Sequence, residues 1–117
     1  MKIPKPSEED KEYFRSIVPD DPRVEVKPMF GNVAAFVNGN MFMGLFGADV
    51  GVRLGDSERE ELMGEPGTGP FGPEGRPMGQ YVTLPSAWRA DEAATSVWVD
   101  RALDHTGAMP PKTKNKK

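Results

Sequence analysis

Asn38-Gly39 stands between two apolar runs, VAAFV and NMFMGLF, and constrains this chain more than any other pair of residues. Asn and Gly tolerate the positive φ values that both central residues of a two-residue type I′ hairpin turn require. As that turn, the pair sets Val37 opposite Asn40, Phe36 opposite Met41 and, by continued alternation, Ala34 opposite Met43. A second two-residue turn at Ala48-Asp49 would set Leu45 opposite Val52 and Met43 opposite Leu54. Successive side chains of a strand point to opposite faces. One face therefore collects Ala34, Phe36, Met41, Met43, Leu45, Val52 and Leu54, and is the expected core. The other collects Val33, Ala35, Val37, Phe42, Phe46 and Arg53 and is also largely apolar. Such a face is either covered by loops and the C-terminal tail, or presented to a protein partner or a second copy.

The flanking segments supply the cover for this sheet. Ser7 precedes EEDKEYFRSIV, and Asp10 completes an approximate capping box with an acidic first turn. Tyr13, Phe14, Ile17 and Val18 share one side of that helix, which Pro19 ends. Val24–Lys27 alternates as a first strand, and Pro28 assigns it an edge position, an irregularity or a strand end. After Leu54, either Asp56 or Ser57 is placed to cap a short helix closed by Gly64. Residues 64–77, GEPGTGPFGPEGRP, hold five glycines and four prolines and cannot form a helix or an interior strand. Phe71 within them is expected to anchor the loop on the body. Residues 78–84 form a fifth strand stopped by Pro85. Asp91 caps a last helix whose inner stripe is expected at Ala94, Val97, Trp98, Arg101 and Ala102, with Leu103 beside it. The order α-β-β-β-β-α-β-α gives a two-layer α+β fold, a five-stranded, mainly antiparallel sheet with three helices.

Length and charge bound the function. A chain of 117 residues is one domain by length, assigned to residues 1–107, with a basic disordered tail at 108–117. Cysteine is absent and His105 is the single histidine, so cysteine-ligated zinc and a histidine metal cluster within one chain are excluded. No apolar run is long enough to span a membrane and no signal peptide is evident, so a cytoplasmic location is the expectation. Lys112, Lys114, Lys116 and Lys117 hold four of the 15 basic residues, which leaves 11 against 18 acidic side chains in the body. A body that acidic repels phosphate backbones, so no specific nucleic-acid binding is expected.

Several short patterns follow one another along the chain in a set order. Lys27-Pro28-Met29-Phe30-Gly31, followed by Phe36-Val37-Asn38-Gly39-Asn40-Met41-Phe42, resembles the opening of the TfoX N-terminal domain, a family named for a bacterial regulator of DNA-uptake competence. Arg53, Gly64, Pro70-Phe71, Arg76-Pro77-Met78 and Tyr81-Val82-Thr83-Leu84-Pro85 resemble its later elements, and the likeness spans roughly residues 8–105. The resemblance implies a compact α+β domain with a secretion-chaperone-like sheet and a regulatory role, and it carries no catalytic residue. Gly51 departs from the pattern, where an aromatic residue is expected. The competence regulator has a further C-terminal domain, whereas this chain stops soon after its last helix.

Sites of chemistry are sparse. Gly67-Thr68-Gly69-Pro70-Phe71-Gly72 satisfies G-x-G-x-x-G, but Pro73 and Gly75 follow where a dinucleotide site needs a helix N-terminus. His105 sits at the end of the last helix, far in sequence from any special serine, as an ordinary helix C-terminal charge. Glu58, Glu60, Glu61 and Glu65 are expected to form a solvated acidic face, and most of the seven methionines to fill the core. Arg76 either caps loop carbonyls or clamps an acidic partner. The sequence therefore favours a non-enzymatic regulatory or adaptor domain without cofactor or metal. Its expected partner-binding residues are Phe30, Val33, Val37, Phe42, Phe46, Arg53 and Arg76. A nucleic-acid-associated module using Lys27, Arg53, Arg76 and the tail is the alternative, and an enzyme with a shallow site at the glycine-rich loop is a third reading.

Overall fold

The computed structural model describes residues 5–29, 32–72 and 79–110. Helix α1 (Glu8–Ile17) leads into strands β1 (Val24–Met29), β2 (Asn32–Val37), β3 (Asn40–Phe46) and β4 (Asp49–Arg53). Helix α2 (Asp56–Met63), the two-residue strand β5 (Gly69–Pro70) and β6 (Tyr81–Thr83) follow, then a 3-10 turn (Ser86–Ala90) and helix α3 (Glu92–Gly107). All strand pairs are antiparallel, in the spatial order β1-β2-β3-β4-β6-β5. The sheet thus has six strands rather than five. The extra one comes from the glycine- and proline-rich segment and sits at the sheet edge, where Pro70 lacks no donor that a neighbour needs.

The α+β class, the three helices and the antiparallel sheet are as expected. Both arms of the capping box close, with the Ser7 N–H donating to Asp10 Oδ2 and the Asp10 N–H donating to Ser7 Oγ, each at 3.0 Å. Asp91 caps α3 by accepting from the Ala94 N–H. At α2 the expectation fails. Gly55 is the N-cap and no side chain caps the helix, so neither Asp56 nor Ser57 takes that role.

The hairpin turn is Asn38-Gly39, with φ of 56° and 77°, as type I′ demands. Val37 faces Asn40 and Phe36 faces Met41. Beyond this the register departs from simple alternation, because Ala35, not Ala34, faces Met43, and Phe42 is the extra residue of a β-bulge. One inserted residue reverses every side chain beyond it relative to the partner strand. Ala34, Phe36 and Met41 therefore lie on the face away from the helices, while Val33, Ala35, Val37 and Phe42 join Met43, Leu45, Val52 and Leu54 in the main core. The next turn uses Gly47-Ala48 rather than Ala48-Asp49, since Gly47 supplies the positive φ of 63° that a non-glycine resists. Leu45 thus faces Val50, and Met43 faces Val52. This two-residue correction leaves the faces unchanged.

The helices cover the main core from one side. Phe14 of α1, Leu62 of α2, and Trp98, Val99, Ala102 and Leu103 of α3 all enter it. The buried stripe of α3 is Thr95, Trp98, Val99, Ala102, Leu103 and Thr106, and Val97 is 48% exposed, contrary to the expected stripe. Helix α3 is rotated because Thr95 can be buried at little cost, its hydroxyl donating to the Trp88 and Asp91 carbonyls. Arg101 lies over the Trp98 ring at 4.4 Å and pairs with Glu61 of α2. The end of α3 is tied to the hairpin, since Asn38 Nδ2 donates to the Gly107 carbonyl and Asn40 Nδ2 to that of Pro110.

Candidate functional site: the second face of the sheet

The face turned away from the helices carries its own small apolar cluster. Ala34, Met41 and Phe71 are buried there, and Phe36, Phe46 and Tyr81 are half-buried around them. Three strands, β2, β3 and β6, contribute side chains, and Phe71 arrives from the segment just after β5. Its ring rests on the backbone of Gly51, where an added Cβ would lie 2.3 Å from Phe71 Cγ. Phe71 meets Phe46 edge-on at 6.2 Å and Tyr81 in a tilted contact at 6.0 Å. The expected anchor is thus in place. It also accounts for Gly51, because an aromatic side chain there would occupy the space that Phe71 fills.

Hydrogen bonds hold this layer together. Tyr81 donates its hydroxyl to the Met41 carbonyl at 2.8 Å, spanning β3 and β6 across β4. Burial pushes the Tyr81 phenol above its ordinary pKa, and the nearby Arg53 opposes that shift only in part. Thr83 donates its hydroxyl to the Pro70 carbonyl, fastening β5 to β6. Two cations mark the margins. Lys27 Nζ lies 5.3 Å from the centre of the Phe36 ring and 3.7 Å from Glu25. Arg53 lies 5.9 Å over Tyr81 and donates to Gln80 Oε1, while its buried Nε has no acceptor among the described residues.

The expected partner-binding residues divide into three groups. Phe46 and Arg53 do lie on this second face. Val33, Val37 and Phe42 do not, since all three are buried beneath the helices, Phe42 completely. They cannot form a surface, and the bulge at Phe42 is the reason. Phe30 and Arg76 lie outside the described residues. The face instead brings in Phe36, Tyr81 and Phe71. Sequence pattern places Phe36 in the core and Tyr81 in the fifth strand without assigning it a face.

Among the described residues no three His, Asp or Glu side chains come together as metal ligands. A cleft between Tyr13, Ala48, Val50, Leu84, Pro85, Ser86 and Arg89 has about 10 Å³ of room, enough for one water. Its arginine is committed, donating to Asp10 and to the Ala48 carbonyl and lying 4.6 Å over the Tyr13 ring. No described helix is long and apolar enough to cross a membrane.

Residues 12–106 match the model of the TfoX N-terminal domain. The chain belongs to the TfoX N-terminal domain family. No curated protein matches it. Membership is consistent with a regulatory or adaptor domain, as the sequence resemblance implied.

Proposed function

We propose that this TfoX N-terminal domain is a non-enzymatic adaptor that binds a protein partner on the second face of its sheet. The observation that carries the reading is a second apolar cluster with no helix over it among the described residues. A single ring, Phe71, covers its centre and leaves Phe36, Phe46 and Tyr81 half-buried. Aromatic side chains held rigidly on strands make good anchors for binding, because little rotamer freedom is lost when a partner covers them. Lys27 and Arg53 at the two margins favour a partner segment that is apolar with flanking acidic residues. The acidic balance of the whole chain, with 15 basic against 18 acidic residues, argues for protein rather than nucleic acid as that partner.

A photo-crosslinking amino acid placed at Phe46 in the cell tests this reading, with Val97 on the outer side of α3 as the control position. Discrete crosslinked species are expected from position 46 and not from 97. A second substitution, Phe36→Ser, should remove them while circular dichroism shows the fold intact. Equal crosslinking from both positions, or crosslinks indifferent to Phe36→Ser in a folded protein, would refute the assignment.

A further inference from the structure

Strand β1 leaves one edge of the sheet open among the described residues. Which of its backbone groups face outward follows from the hairpin. The residues flanking a two-residue turn exchange both of their hydrogen bonds, so Val37 points its N–H and C=O at β3. Alternation then turns Phe36 and Ala34 toward β1, and their partners Glu25 and Lys27 toward β2. The outward residues of β1 are Val24, Val26 and Pro28. The Val24 N–H already donates to the Asp21 carbonyl at 2.9 Å, and Pro28 has no N–H. Val26 alone of the three presents an N–H without a partner among the described residues together with its C=O, and its side chain is 42% exposed.

We propose that β1 pairs antiparallel with β1 of a second copy, with the twofold axis at Val26. The strand reads Val24-Glu25-Val26-Lys27-Pro28, and its charges are self-complementary about that centre. Glu25 then stands opposite Lys27 of the partner subunit, and Lys27 opposite the partner subunit's Glu25. The two Val26 side chains meet on the helix side of the sheet, each covering the other. A shift of the axis by one residue sets Glu25 against Glu25 or Lys27 against Lys27, and like charges directly opposite are destabilising. Pro28 and Lys27 are residues that blunt an open edge. In the Val26-centred register Pro28 faces a residue whose N–H is already used, so no donor goes unmatched there. The other edge, the two-residue β5 ending in Pro70, is too short to pair in this way. Pairing through β1 would carry the second faces of both copies on in one surface, but it rests on edge geometry and charge order rather than on the partner-binding reading.

The test is sedimentation velocity on the full chain over a concentration series. The wild type is expected to form a dimer. Glu25→Lys and Lys27→Glu should each weaken it about tenfold or more, because two attractive cross-strand pairs become repulsive. Mixing the two single variants should recover a dimer, since the reversed charges then complement each other, and the double variant should dimerise alone. Val26→Pro should abolish association by removing the central N–H, with circular dichroism confirming the fold. A monomer at every concentration would overturn the proposal. So would a dimer that ignores the single reversals, or a mixture no stronger than its components.

Discussion

Replacing Gly51 by alanine should destabilise the protein, and the same replacement should stabilise a protein that lacks the Phe71 ring. The methyl group would lie 2.3 Å from Phe71 Cγ and 2.4 and 2.6 Å from its two Cδ atoms, so the ring has to leave its seat. Phe71 is only 3% exposed, and returning a buried phenylalanine to water costs about 1.5–3 kcal/mol. Alanine in a strand gains roughly 0.5–1 kcal/mol over glycine through the lower entropy of the unfolded chain. Gly51→Ala should therefore cost about 1–2 kcal/mol net in the intact protein. In a Phe71→Ala background the three atoms nearest the methyl are gone, and the substitution should gain about 0.5–1 kcal/mol. The coupling between the sites, about 2 kcal/mol, can be measured by urea unfolding of the four proteins in a double-mutant cycle. If Gly51→Ala costs the same with and without the Phe71 ring, the ring does not rest on Gly51, and the second apolar cluster loses its centre.

Other consequences are tested more directly. Phe42→Glu should unfold the domain, since it discards a fully buried ring and places a charge in the core, a loss of at least about 4 kcal/mol; a native circular dichroism spectrum would return Phe42 to the surface. Thr106→Val should be neutral or stabilise by about 1 kcal/mol in urea, because the Thr106 hydroxyl is buried and has no partner among the described residues. The Ser7 N–H and then Arg89 hold the Asp10 carboxyl below its usual value of 3.8. A depressed folded-state pKa contributes stability present above the unfolded value, near pH 4, and lost as pH falls through the folded one. Asp10→Asn should therefore lower the melting temperature at neutral pH and flatten its fall in acid, leaving the variant closest to wild type at the lowest pH.

Much of the architecture was legible because local chemistry and global fold agree at several points. Asn38-Gly39 admits few turns, Ser7 with Asp10 closes a capping box, and Asp91 caps α3. Pro28 marks an edge strand, and Phe71 is the one aromatic residue of a segment otherwise unable to form a core. The candidate site was legible only in outline. That both faces of the sheet are apolar could be seen, but which side chains belong to which face could not. The bulge is the cause. Alternation carries a face assignment along a strand only while the residue count is unbroken, and nothing in NMFMGLF announces that Phe42 and Met43 both point inward. The assignments made beyond the bulge, at Met43, Leu45, Val52 and Leu54, survive, while those on the hairpin side reverse. Similarly, α3 has the expected period but a different phase. Val97 is a better core residue than Thr95 by hydropathy alone, and the outcome turns on carbonyls of the preceding 3-10 turn that satisfy a buried hydroxyl.

The bulge also links the fold to the proposed function. By turning Phe42 inward it gives the helix layer a large ring to pack against. By the same reversal it delivers Phe36 and Met41 to the opposite face, where two glycines, Gly44 and Gly51, place no side chain and the added Cβ of either would meet Phe71. An apolar strip on a sheet needs cover, and the described residues between α2 and β6 supply a two-residue strand and one ring. More cover from this chain would leave no surface for a partner. Without Phe71, the strip would expose the backbone of Gly51 and invite indiscriminate association. Phe36, Phe46 and Tyr81 stay half-buried on that face, held in place by the strands and by the Tyr81–Met41 bond. The binding proposed there would need little rearrangement of the sheet, as a preformed docking face requires.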